Sequence, residues 1–499
     1  MQEAFSLGRI CMAILAALCM VGFIAVVSSA GLSSAGISIA DRNLSAEVVM
    51  SAVRAGEPLD FDNRIIVGHL NLSSLEIDGP VSFNHTFFKN GANFDHATFK
   101  GPAYFRNAYF NDNAEFEGSN FSDDAFFGGS FFHSRSSFRH AIFNRSVDFS
   151  SVTFRGLADF VNATFRSTNM PGGSWALESC GAFEVAAAPP NVIFDNSIFD
   201  EGANFNYAIF NGIVYFENAI FNDFVSFGCT SFNNSARFDG ATFNDDIGFW
   251  DTVFKGTADF RRTKFNITTF EGAKFNDNAD FSSSYFNGDL DIETTRFDHN
   301  ATFREARFDY YANFSIGEFD GTADFWGTAF NGNANFLKTG FNSTAYFGDA
   351  EFNSTANFED AEFNSTANFM NASFKGNTSF MDAGFSGFAS FVNAFFNITD
   401  FTAAQFNKEA QFGDARFAGQ ATFKSSNFKE DALFENATFE DELNLTRARY
   451  SKLFIRWHSI EKGGLVYDDA AYMSLMKNFK DLGYYEDYDG LLLCLPPGS

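Results

Sequence analysis

Basic charge is scarce in this chain. Its 499 residues hold 34 Lys and Arg against 62 Asp and Glu, a formal net charge of -28. That balance excludes direct binding to nucleic-acid phosphates, which takes a basic surface. It implies a soluble surface that repels itself and attracts cations. Cysteine is scarce too, with five in all. Cys11 and Cys19 fall in an apolar N-terminal segment, and Cys180, Cys229 and Cys494 are an odd number without metal-ligand spacing. Free thiols and a single Cys180–Cys229 disulfide are the alternatives left. There is no nucleophile paired with a base, no phosphate loop and no zinc pattern, so neither an enzyme nor a cofactor is expected. Proline appears only 8 times, whereas Gly appears 40 times and Phe 73 times. A bias of that size points to a repeat rather than to the roughly three globular domains that length alone would suggest.

The first thirty residues are a separate object. Arg9 ends a short, weakly positive start, residues 10–27 are apolar, and Ser28-Ser29-Ala30 has the small-residue pattern of a cleavage site. This reads as a secretory signal. The apolar run is also long enough for a marginal membrane span. Cleaved signal and retained anchor therefore both stand, the second giving membrane association through residues 10–27. Either way the rest of the chain is expected outside the cytoplasm.

From Phe83 the phenylalanines fall at steps that alternate five and six: Phe83, Phe88, Phe94, Phe99, Phe105 and so on to Phe165. The phase runs backwards through Ile77, Leu72 and Ile66, and resumes from Phe194 to Phe439, Leu445 and Tyr450. Only the steps Phe265 to Phe270 and Phe396 to Phe401 lose a residue, both at an Asn-Ile-Thr tripeptide. A helical reading of this eleven-residue unit fails. At roughly 100° per residue the two Phe of a unit stand about 140° apart and make no single stripe, and the residues between them are poor helix formers. The β reading works. Ala and Phe two apart point to the same side of a short extended segment. Pairs such as Asn211-Gly212 and Asn287-Gly288 after the second Phe predict turns at positive φ.

The triplets Ala92-Asn93-Phe94, Ala203-Asn204-Phe205, Ala258-Asp259-Phe260 and Ala367-Asn368-Phe369 carry a resemblance to the pentapeptide-repeat family. Its pattern is a small residue, a polar residue, a central Leu or Phe, then two polar residues, and it covers roughly residues 65–450. The resemblance implies an all-β solenoid, a right-handed quadrilateral β-helix with one pentapeptide per side. Alternating five and six gives 22 residues per coil with two wider corners. The chain is similar to a Phe-rich, eleven-residue form of exported archaeal and bacterial proteins. About sixteen coils follow, a rod of roughly 75–80 Å at a strand spacing of about 4.8 Å. Four Phe columns are expected along the axis, each ring on the one 22 residues away.

Six segments result: 1–30 signal peptide or anchor; 31–64 linker and capping helix; 65–165 first part of the β-helix; 166–193 inserted loop; 194–450 second part; 451–499 helical C-terminal segment. The N-terminal helix is expected from Ser45 to Ala55, stopped by Gly56 and Pro58, and covers the open strand edge. In the insert, Phe165 to Phe194 is 29 residues where six were due, so 23 are extra, and Trp175 and Phe183 make it a candidate partner loop. The C-terminal segment predicts a helix over 470–482 with Tyr472, Leu475, Met476 and Phe479 at helical spacing. It resembles a module that leads on towards membrane-spanning segments, and here the chain stops at Ser499.

Candidate sites are few. His85 and His96 hold the same repeat position eleven residues apart, half a coil, and so cannot share a metal. Asp259 and Asp280 are expected as neighbours on one side, a weak metal candidate. Asn313, Asn335 and Asn357 stand 22 apart and predict an amide ladder. Asn233, Asn266, Asn342, Asn353, Asn364 and Asn397 open Asn-x-Ser/Thr triplets, candidate glycosylation sites in an exported protein. The expectation is a non-catalytic exported scaffold, extracellular or at the cell surface, with a protein or cell-envelope partner and no direct nucleic-acid binding. The alternative is an acidic DNA-mimic rod that binds a type II topoisomerase in the cytoplasm, as the best-known members of the resembled family do.

Overall fold

A computed structural model describes residues 42–166 and 191–493. Seventy short strands, nearly all of two residues, stack in parallel register as four ladders. One coil shows the plan: Val81–Ser82 on a first face, Phe87–Phe88 on a second, Ala92–Asn93 on a third and Thr98–Phe99 on a fourth. Each strand pairs with the equivalent one a coil away, as Ala103 with Val81 and Phe110 with Phe88. The first and second faces carry 18 rungs among the described residues. No helix among the described residues is long and apolar enough to cross a membrane. The apolar run 10–27 lies outside them.

The repeat motif follows from local chemistry. The first residue points inward and is mostly Ala, because little room is left beside the large ring two residues on; Val, Thr, Ser and, at Ile247, Ile also stand there. The polar second residue points outward and accepts a hydrogen bond from the N–H of the residue after Phe, as Asn93 Oδ1 does from Asp95 at 2.9 Å and Asp280 Oδ1 from Ser282 at 2.9 Å. The Phe carbonyl then accepts from the residue three on, as Phe94 does from Ala97 at 3.0 Å. That closes a turn whose third residue has positive φ, the type II pattern. Where Thr replaces Ala after the turn, its hydroxyl donates to the Phe carbonyl of the neighbouring coil, as Thr230 does to Phe205 at 2.8 Å. The buried hydroxyl is thereby satisfied.

The core is a set of stacked rings. Phe88 lies on Phe110 at 4.4 Å, Phe99 on Phe121 at 4.6 Å, and Phe336 between Phe314 at 4.7 Å and Phe358 at 4.8 Å, all within 13° of parallel. Columns of the first and third faces meet edge to face across the axis, as Phe336 and Phe347 do at 5.4 Å and 87°. Offset stacking along columns and T-shaped contact between them are the two geometries that the ring quadrupole favours. The columns pass the insert unbroken: Val147 pairs with Val192, and Phe149 stacks on Phe194 at 5.0 Å.

Three expectations need correction. The ladders begin before residue 65 and end after 450. Asn43–Ser45 pairs with Ile65–Val67, Leu59–Asp60 pairs with Val81–Ser82, Phe61 stacks on Phe83 at 5.1 Å, and the last rung is Leu453–Phe454. Eighteen rungs therefore stand where about sixteen were expected, and the rod is about 80 Å long. The positive-φ residues are not the Phe-Asn-Gly sites. They recur every eleven residues, two after the central Phe, at His85, His96, Tyr207, Arg262, Ile316 and Lys338 among others. The glycines at wide corners serve close approach instead. A Cβ on Gly256 would lie 2.6 Å from the carbonyl carbon of Asn234 and 2.6 Å from the amide nitrogen of Ser235.

Both ends are covered. Helix α1, Ala46–Ala55, buries Val49 and Val53 over the first rungs and is closed by Gly56 at φ 66°. At the far end α2 (Trp457–Ile460), α3 (Asp469–Leu482) and α4 (Tyr485–Leu492) close the stack. Asn478 on α3 accepts from the N–H of Leu453 at 3.1 Å and donates to its C=O at 2.8 Å, so one amide replaces the missing rung. Buried Asp487 accepts from the N–H of Trp457 and pairs with Arg456, each at 2.7 Å.

Candidate binding surfaces

Every strand offers one outward side chain, so each face carries a column of exterior residues about 4.8 Å apart. Near the N-terminal end these columns are aromatic. On the second face Phe87 stacks on Tyr109 at 5.0 Å and Tyr109 on Phe131 at 4.9 Å. On the adjoining first face Tyr104 stacks on Phe126 at 5.1 Å, with Arg106 4.2 Å above the ring of Phe126. The rings face one another and turn their edges outward. Below them lies an open depression of about 490 Å³ lined by Leu59, Asp60, Ser82, Asn84, Tyr104 and Arg106 among others. Sequence reasoning missed these columns. The signal was the Phe-Phe and Tyr-Phe doublets, in which one ring of each pair has to face out.

On the third face Glu115, Ser137 and Asp159 form one column. Arg135 and Arg139 reach Asp159 at 3.4 and 3.3 Å. Burial pushes the Glu115 carboxyl up from the ordinary glutamate range, opposed by Arg135. Ser137 Oγ is buried among them and has no hydrogen-bond partner among the described residues.

The middle of the rod holds a band of arginines on the acids. Asp259 and Asp280 are in-register neighbours, as expected. Arg261 takes their charge: it donates to both oxygens of Asp259 at 2.8 and 2.6 Å and stands 3.9 Å from Asp280. A cation at that pair would have to displace the guanidinium. Arg262 holds Asp239, Arg296 bridges Asp298 and Asp320, and Arg307 pairs with Asp309 at 2.7 Å. Among the described residues no group of three or more His, Cys, Asp or Glu is placed to hold a metal. These pairs are exposed and solvent-screened, so each contributes little to stability. Their effect is to divide the acidic surface into patches.

The amide ladder is present. Asn335 donates to Asn313 at 3.0 Å and Asn357 to Asn335 at 3.2 Å, while Asn313 donates to Asp291 at 3.1 Å. Other ladders take up most of the glycosylation candidates. Asn364 Nδ2 donates to Asn342, Asn342 to Asp320, Asn353 to Asn331 and Asn233 to Asn211, between 2.6 and 2.8 Å. Asn397 donates to the carbonyl of Lys375 at 3.2 Å. The nitrogen that would carry a glycan is thus the ladder donor. In the Asn266 and Asn397 triplets the Thr268 and Thr399 side chains point into the core. Cys229 is a free thiol at a left-handed corner. Cys180, Trp175 and Phe183, with most of the insert, lie outside the described residues.

The family model for pentapeptide repeats (9 copies) matches residues 401–449. That stretch is two coils of the same four-faced stack that runs through the described residues. A search of curated proteins found no match to the chain.

Proposed function

Because the chain is a pentapeptide-repeat protein, we propose that it works as a non-catalytic rod outside the cytoplasm, holding exterior side-chain columns for a protein or cell-envelope partner. One observation carries the reading: a uniform interior supports an exterior that changes along its length. Inside, the Phe columns repeat with little variation. Outside, the second face alone passes from Phe87, Tyr109 and Phe131 through Lys264 and Arg307 to Glu351. Stacking needs the first regularity and is indifferent to the second. An exterior so varied suits recognition of a shaped partner better than a flat repetitive one such as ice. The helices at both ends support a discrete rod, since they cover part of the terminal rungs.

Placement outside the cytoplasm rests on the apolar run 10–27 and Ser28-Ser29-Ala30. The topoisomerase alternative needs a continuous acidic face, and the arginine band from Arg261 to Arg307 interrupts one. Fractionation of intact producing cells, with protease added outside, tests the placement. The expected result is chain in the exported fraction or cleaved by the external protease. Full-length chain protected in the cytoplasm would overturn it and restore the topoisomerase reading.

A further inference from the structure

The two wide edges of the rod lie between the second and third faces and between the fourth and first, and most of their corners have three residues; those at Asn266-Ile267 and Asn397-Ile398, on the first edge, have two. They differ in what they expose. Among the described residues, every large apolar side chain exposed at a wide edge stands on the first of these two: Val67, Leu157, Phe224, Ile267, Tyr310 with Tyr311, and Ile398. The opposite edge differs in degree. It carries Ile213 and Phe388 at the matching corner position, but both are half-buried.

From Leu157 to Tyr310 their spacing is regular. Counting second-face rungs from Ile65–Val67 as the first, these residues follow the first, fifth, seventh, ninth, eleventh and fifteenth rungs. All are odd, and the corners between them are polar. From Leu157 to Tyr310 an apolar side chain, 37% to 56% exposed, therefore recurs at every second rung, about 9.6 Å apart. The corners around and between carry Glu201, Asp223, Asp245, Asp246 and Asp289, none of which makes an ion pair within 4 Å among the described residues. Burial, and then Asp245, push the Asp246 carboxyl up, as expected where like charges crowd.

This spacing selects a partner. An extended strand repeats its side chains at about 6.7 Å and does not match. An α-helix rises about 10.5 Å in seven residues, and a crossing angle of about 20–25° projects that to about 9.6 Å. Four anchors at that spacing then need a helix of about 22 residues or more. The unpaired carboxylates ask for Lys or Arg between the anchors. A second copy of this chain would set acid against acid along the edge. We propose that the wide edge from Leu157 to Tyr311 is a docking edge for a cationic amphipathic helix of a partner protein, with apolar residues at heptad spacing. It deepens the scaffold reading and rests on it only for the existence of a partner; it does not depend on export.

The test uses the purified full chain and a fluorescein-labelled peptide of about 24 residues, with four Leu at seven-residue spacing and Lys, Arg and Ala elsewhere. A scrambled peptide of the same composition controls for charge. Fluorescence anisotropy is expected to show the heptad peptide bound at least about tenfold tighter than the scramble, and more weakly as salt rises. In the triple variant Phe224→Ser, Ile267→Asn, Tyr310→Ser, and in part in each single variant, that advantage is lost while the melting temperature holds. Asp223→Asn with Asp245→Asn weakens both peptides. Equal affinity for the two peptides, retention in the triple variant, or binding of soluble cellohexaose in place of the peptide at this edge overturns the proposal. Shaving failure with peptide binding intact would sink only the placement; the reverse would sink only this edge.

Discussion

Phe336→Ala is expected to cost about 3–5 kcal/mol, because it removes a fully buried ring and leaves a cavity that stacked neighbours cannot easily fill. The ring lies between Phe314 and Phe358 and meets Phe325 and Phe347 edge-on at 5.5 and 5.4 Å. Its removal breaks a third-face column and both first-face contacts at once. Phe336→Leu should cost about 1.5 kcal/mol or less. The protein already contains the control, since Ile292 stands in the same column between Phe270 and Phe314, buried to the same degree. Thermal melts of the two variants decide the matter. A solenoid couples each coil mainly to its neighbours, so amide exchange should show the loss centred on the coils of Phe314 and Phe358. Equal melting of the Ala and Leu variants would mean that the stacked columns are not what holds the rod.

Gly256→Ala is the second large effect, and it falls at a partly exposed corner where surface substitutions are usually mild. The added Cβ would sit 2.6 Å from backbone atoms of Asn234 and Ser235 on the coil below, and backbone in a ladder cannot rotate away. A cost of about 1–3 kcal/mol is expected, typical of overpacking. The contrast is Ile316→Gly. Ile316 is β-branched and exposed at φ 57°, a conformation that glycine adopts freely. That change should leave stability unaltered or raise it. Thermal melts showing alanine tolerated at 256, or glycine strongly destabilising at 316, would mean that steric and backbone roles are assigned to the wrong corners.

Those two corners also show where the sequence stops being legible. The interior was readable because it is periodic: Phe at steps of five and six, Ala two before, and the 23 extra residues after Phe165 all follow from counting. The positive-φ corner was not, because a type II turn locked by an Asx acceptor and by ladder pairing tolerates His, Tyr, Arg and Ile. Side-chain identity there no longer reports backbone conformation. Asn-Gly after the second Phe is a turn signal of the ordinary kind, yet its glycine answers to the coil below. The first rung was hidden by α1, which lies between Asn43–Ser45 and Leu59–Asp60 and interrupts the phase that Phe61 keeps. Asp259 and Asp280 were placed correctly as neighbours. What they do was invisible, since Arg261 reaches back two residues to Asp259 and a coil across to Asp280. The odd-rung apolar edge was likewise out of reach, because a 44-residue period appears only once the coils are in register.

The central claim is that one continuous stack runs from Asn43–Ser45 to Leu453–Phe454, with Val147 paired directly to Val192 across the 23 extra residues. Deleting residues 167–189 would leave Arg166, Pro190 and Asn191 between Phe165 and Val192. That is the three-residue length of Lys100-Gly101-Pro102 between Phe99 and Ala103. A melt of this deletion variant is the most direct measurement. The expected result is a cooperative transition at the same or higher temperature, with a gain of up to about 2 kcal/mol from the shorter closure. A fall in melting temperature, or separation into two transitions, would contradict a single stack.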